Sequence, residues 1–86
     1  MPWRVRLSPR AEKELSRLPV AEREAIVRAL RRLSISFGSV DVTKLAGGGN
    51  RWRLRVGRWR VLLELDNESG TVRVTRVVAR KDAYRD

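Results

Sequence analysis

The stretch Arg51-Trp52-Arg53-Leu54-Arg55-Val56-Gly57-Arg58-Trp59-Arg60 decides how the chain is read. Basic and apolar residues alternate up to Val56, and the alternation resumes after Gly57. A period of two is the signature of a strand. Successive side chains of a strand point to opposite faces. Trp52, Leu54 and Val56 therefore belong to a core, and Arg51, Arg53 and Arg55 to the opposite face. Gly57 marks a turn, and a second strand begins at once. Five arginines fall in ten residues with no acid among them.

Outward from this stretch, Trp59, Val61, Leu63 and Leu65 continue the inward set, and Arg58, Arg60, Leu62 and Glu64 share the outer face. Asp66-Asn67-Glu68-Ser69-Gly70 is a hairpin turn. Thr71 to Ala79 is a last strand. Val72 and Val74 are in phase there and Val77 is not, which predicts a bulge near Thr75-Arg76. Upstream, Gly47-Gly48-Gly49-Asn50 is a loop without the ending of a phosphate cradle. Asp41 to Leu45 reads as a connector with Leu45 anchored in the core. Residues 20 to 33 carry a helical stripe of Ile26, Val27, Leu30 and Leu33. A shorter helix with Ala11, Leu15 and Leu18 precedes it, opened by Ser8 as N-cap and Pro9 at the first position. Trp3, Val5 and Leu7 alternate as a first strand, and Trp3, Trp52 and Trp59 are assigned to the core.

The predicted architecture is one α+β domain spanning residues 1–86. Its order is β-α-α-β-β-β, a small antiparallel sheet packed on one face by a two-helix hairpin. The place of the first strand in the sheet stays open. The other face of the sheet is basic.

Composition narrows the function. Twenty Lys or Arg stand against ten Asp or Glu, for a net charge of +10, and seventeen of the cations are arginine. Arg grips phosphate with a planar fork of donors, so nucleic acid or an acidic protein is the expected partner. There is no cysteine and no histidine, which excludes disulfides, thiolate metal sites and the commonest general base. No apolar run is long enough to span a membrane, and the expected compartment is the cytoplasm. Neither metal nor cofactor is expected.

Four stretches resemble the RelE/ParE superfamily of toxins from type II toxin–antitoxin systems. They are Ser8-x-x-Ala11; Leu18-Pro19 followed by Arg23 and Ile26; Leu45-Ala46-Gly47 leading to residues 52–61; and the closing Arg80-Lys81-Asp82-Ala83-Tyr84-Arg85. The resemblance implies a RelE-like fold and a metal-independent ribonuclease that cuts mRNA in the ribosomal A site. Carried over onto matching positions, the catalytic set is Arg53, Arg55, Arg60, Arg80 and Tyr84. Arg51, Arg58, Lys81 and Arg85 are assigned as phosphate contacts. Arg53 and Arg55 stand where relatives often have Lys, and Ala79 where relatives often have His. Arginine is effectively always protonated and makes a poor base, so Tyr84 is the candidate base and Glu64 the second. The resemblance also implies an acidic antitoxin in a hetero-oligomer. Two alternatives stay open: inhibition of DNA gyrase without catalysis, as in ParE-like members, and a non-catalytic nucleic-acid-binding domain.

Overall fold

A computed structural model describes residues 2–47 and 49–82. The elements are β1 (Arg4–Leu7), α1 (Pro9–Ser16), α2 (Val20–Ile35), β2 (Val42–Lys44), β3 (Arg51–Val56), β4 (Trp59–Asp66) and β5 (Thr71–Ala79). Short 3₁₀ turns cover Phe37–Ser39 and Arg80–Asp82. The strands form a single sheet in the order β1-β5-β4-β3-β2.

The meander β3-β4-β5 is antiparallel, as the alternation predicts. Two expectations need correction. Residues 41–45 are not only a connector, because Val42–Lys44 pairs antiparallel with Trp52–Leu54 as a fifth strand. Leu45 is half-buried and hydrogen-bonds through its N–H to Arg51 O instead of anchoring in the core. The sheet is mixed and not purely antiparallel, since β1 joins the edge parallel to β5. A parallel partner requires a crossover, and the two helices between β1 and β2 begin it.

The inward residues are those that period two selects. Leu54, Val61, Leu63, Val72, Val74 and Val77 are buried against Ala11, Leu15 and Leu18 of the first helical segment and Ile26, Leu30 and Leu33 of α2. Phe37 closes one end of this core: its ring centroid lies 6.1 Å from that of Trp3 and 5.1 Å from that of Trp52, edge-on to the latter. The bulge is where the phase of the valines requires it. Leu62 faces Arg76 and Leu63 faces Val74, so Thr75 is the extra residue. Its hydroxyl donates to Leu62 O at 3.2 Å.

One feature of the edge fixes where α1 sits. β1 stops at Leu7 opposite Val74, while β5 runs on to Ala79. Buried backbone groups beyond that point need other partners, and the start of α1 supplies them. Ser8 N–H donates to Val74 O at 2.9 Å, and Ser8 Oγ donates to Thr75 O at 3.1 Å while accepting from Ala11 N as the helix N-cap. Glu14 then accepts from Val77 N–H at 2.8 Å and from Arg76 Nε at 3.0 Å. A strand edge thus passes from β1 to a serine and a glutamate without a gap.

Glu14→Ala removes the acceptor of a buried N–H and of a half-buried guanidinium together. Leaving such groups unsatisfied costs about 1–3 kcal/mol each, so the variant should lose roughly 2–4 kcal/mol in urea unfolding. Glu12→Ala, at an exposed position two residues earlier in α1, should stay within about 0.5 kcal/mol of the parent.

Candidate functional site

The basic strip is built on the hairpin between β3 and β4. Gly57 has φ +58° and Arg58 a negative φ. Glycine at the first central position is the requirement of a two-residue turn whose twist matches that of the strands. The turn sets Val56 opposite Trp59, Arg55 opposite Arg60 and Arg53 opposite Leu62. On β5, Val78 stands opposite Arg60 and Arg76 opposite Leu62. The outer face near the turn is therefore a row of Arg55, Arg60 and Val78 beside a row of Arg53, Leu62 and Arg76.

Two guanidiniums directly opposite each other repel, and the structure separates them. Arg55 turns to the β2 edge, where its Nε lies 2.8 Å from Asp41 Oδ2. Arg60 folds onto its own hairpin, and its Nη1 donates to Gly57 O and Trp59 O, both at 2.9 Å. Arg60 is only 6% exposed, and Val78 beside it is equally covered. Alternation put Arg60 on the outer face correctly, but face and exposure are different properties. The expectation of a solvent-facing Arg60 is corrected: this guanidinium holds the shape of the turn. Arg53 is half-buried, and Arg51 and Arg55 are exposed.

Arg58 leaves the outer face. Its Nε and Nη2 donate to the two carboxylate oxygens of Glu22 on α2 at 3.1 and 3.2 Å. Trp59 Nε1–H donates to the same carboxylate at 2.8 Å. The Arg58 guanidinium also lies 5.0 Å from the centroid of the Trp59 ring, within cation–π range. Hydrogen bonds from Arg58 and then Trp59 hold the Glu22 carboxyl below its ordinary value of 4.5. The hairpin tip is thus pinned to the first turn of α2. Glu22 reads from sequence as a solvent-facing residue. The signal for it was Trp59, whose indole N–H needs an acceptor when the ring is packed.

Two other segments meet the hairpin. Arg80 N–H donates to Arg58 O at 2.8 Å, which brings the chain end back to the turn. Arg58, Ala79, Arg80 and Lys81 line a cavity of about 570 Å³ there. Arg80 and Lys81 are exposed. Tyr84 and Arg85 lie outside the described residues. Glu64 accepts a hydrogen bond from Arg73 and stands opposite Arg51. It is four residues along β4 from Arg60, roughly 13 Å at strand rise, and so is not brought to the Arg55–Arg60 row. Among the described residues no three acidic side chains cluster as a metal would require, and no helix is long and apolar enough to cross a membrane.

Comparison with known proteins now bears on this site. The family model described as the ParE toxin of the type II toxin–antitoxin system, parDE, matches residues 5–84. The chain belongs to this toxin family. A chain of the Mycobacterium tuberculosis RelBE2 toxin–antitoxin complex is similar at 30% identity, with a TM-score of 0.80 over 93% of this chain and 100% of that one. The archaeal RelE–RelB complex of Pyrococcus horikoshii gives 25% identity and a TM-score of 0.79 over 96% of this chain and 100% of the other. The RelB–RelE complex of Methanococcus jannaschii gives 26% and 0.76, over 92% and 94%. No curated protein sequence matches. The molecule is thus a type II toxin with the RelE-like architecture expected from its four matching stretches.

The depressed pKa of Glu22 carries a sign. A carboxyl whose folded pKa lies below its unfolded value stabilises the toxin fully above the unfolded pKa, and that contribution is lost as pH falls through the folded value. Glu22→Gln should lower the urea midpoint at neutral pH, and the gap to the parent should close as pH drops below 4.5. A gap of equal size at neutral and acid pH would show that the carboxylate charge is not what pins the hairpin.

Proposed function

We propose that this toxin is a metal-independent endoribonuclease acting on translated mRNA in the ribosomal A site. The observation that carries the reading is the junction of its two basic segments. The Arg80 N–H bonded to the Arg58 carbonyl sets the closing Arg80-Lys81 segment against the turn that bears Arg55 and Arg60. A phosphodiester laid over the outer face would meet Arg53 and Arg55 from β3 and Arg80 from the chain end, with Arg51 and Lys81 along the backbone on either side. The Arg55–Asp41 pair is exposed on both partners, and such pairs are worth about 0–1 kcal/mol. A phosphate can displace Asp41 at little cost.

Cleavage without metal requires the 2′-hydroxyl to lose its proton, attack the phosphorus and expel the 5′-oxygen. Fixed cations stabilise the phosphorane charge. Arg53 and Arg55 take that role, with Arg60 beneath them as the group that fixes the turn. Arg80 neutralises the departing oxygen. Tyr84 is the proposed acceptor of the proton. Glu64 is the weaker candidate, committed to Arg73 at a distance from the row. The departing 5′-oxygen takes a proton from water, so the products are a 2′,3′-cyclic phosphate and a 5′-hydroxyl. The partner that silences the toxin is an acidic antitoxin, a reading supported by similarity to chains solved in RelB–RelE complexes, and the pair acts in the cytoplasm.

Expression of the toxin should arrest growth with new 5′-hydroxyl ends inside reading frames. Arg55→Ala, at an exposed position, should reduce cutting by about 10²–10³ while leaving the unfolding midpoint unchanged. Tyr84→Phe should abolish it. Arg60→Ala is a poor probe because it also loosens the hairpin. Sequencing of mRNA ends from induced cells decides the matter.

One observation favours a second reading, inhibition of DNA gyrase without catalysis. The matching family model is that of ParE, and the strands β3 and β4 that form the Arg55–Arg60 row carry neither histidine nor lysine. Gyrase-dependent DNA breaks with intact mRNA would establish it. RNA binding separates the two as well. An RNA contact made by several arginines weakens steeply with salt, and a salt-insensitive association would count against nucleic acid.

A further inference from the structure

Three successive carbonyls at the tip of the β3–β4 hairpin are each committed. Gly57 O and Trp59 O accept from Arg60 Nη1, and Arg58 O accepts from Arg80 N–H at 2.8 Å. The bond to Arg80 is the end rung of the β4–β5 ladder, one residue beyond the Trp59–Ala79 pair. After it the chain leaves the sheet in the 3₁₀ turn Arg80–Asp82. The end of a ladder is where backbone bonds fray first. What holds this end lies on the helix side of the sheet. Glu22, in the first turn of α2, accepts from Arg58 Nε through Oε1, and from both Arg58 Nη2 and Trp59 Nε1 through Oε2. The peptide unit that carries the Arg58 carbonyl joins Arg58 to Trp59. Both side chains flanking that unit therefore end on one carboxylate, and they also lie on each other, guanidinium to ring, at 5.0 Å.

We propose that Glu22 is a positioning residue for the toxin's reaction: by fixing the Arg58–Trp59 peptide it holds the Arg80-Lys81 segment against the Arg55–Arg60 row. The inference rests on the nuclease reading above and adds to it a residue from the opposite side of the sheet. Glu22 does not touch a phosphodiester laid over the outer face, because Trp59 packs inward on the core and the carboxylate meets it there. Its effect passes in series from the carboxylate to the guanidinium and indole, then to the peptide unit, then to the Arg80 N–H. The charge matters as well as the shape. A carboxylate is acceptor-only and takes the guanidinium fork on two oxygens. A carboxamide keeps one acceptor and presents an NH₂ group in place of the other. Glu22→Gln therefore keeps the size of the side chain and sets a donor against a donor. A misplacement of about 1 Å, caused far from the chemistry, can cost about 10²-fold in rate. Arg80 acts on the departing oxygen, so the loss falls on kcat and not on KM.

The test pairs hydrogen exchange of the toxin with its cutting of ribosome-bound mRNA. In Glu22→Gln the Arg80 amide should exchange at least about tenfold faster relative to amides in the middle of β4, the mark of local and not global opening. The kcat for cutting should fall at least about tenfold with KM unchanged. Arg58→Lys keeps the charge without the fork and should show the same pattern. In an Arg80→Ala background, Glu22→Gln should cost nothing further, because residues that act through one another are not additive. An Arg80 amide that exchanges no faster in either variant overturns the positioning role and leaves the nuclease reading intact. So does a rate loss of the same size in the Arg80→Ala background. A parent toxin that leaves ribosome-bound mRNA whole overturns both.

Discussion

Where ten carboxylates settle among twenty cations governs most of the rest of this molecule. The sheet has one apolar face, filled by the helices, so its other face must carry polar side chains, and those available are mostly arginines. Repulsion across neighbouring strands would work against the fold if they all pointed outward together. The acids are distributed to prevent it: Asp41 on Arg55, Glu22 on Arg58, Glu64 on Arg73 and Glu14 on Arg76. These pairs are not equivalent. Three have an arginine more than 60% exposed and contribute little singly. The Glu14–Arg76 pair is only about one-fifth exposed on each side and also takes a backbone N–H. The exposed pairs reduce repulsion between the arginines, whereas Glu14 also completes the hydrogen bonding of the sheet edge.

The legibility of this arrangement from sequence divides along one line. Local periodicity was readable: the alternation of residues 51–56 and 59–65, the turn glycine at position 57, the helix cap at Ser8, and even the bulge at Thr75 from the phase of three valines. What depends on distant partners was not. Val42-Thr43-Lys44 is too short to show a period and becomes a strand only because β3 offers an edge. The parallel placement of β1 is set by the helical crossover, which leaves no mark in β1 itself. Glu14 and Glu22 look like ordinary solvated helix residues until the sheet brings an unpaired N–H and an indole to them. Arg60 is the instructive case for the site. Its face was legible from period two, but its burial follows from Arg55 opposite and from carbonyls at the turn.

The presence of arginine and not lysine on β3 also shapes what the site can do. A lysine crowded by cations gives up its proton, so one side chain can serve both as base and as charge stabiliser. Arg53 and Arg55 can only stabilise. For the proposed reaction any proton acceptor must therefore come from outside the strip, and the bond between Arg80 and Arg58 brings the Arg80-Lys81 segment beside it. In the proposed reaction, charge stabilisation belongs to the sheet and proton transfer to a separate segment.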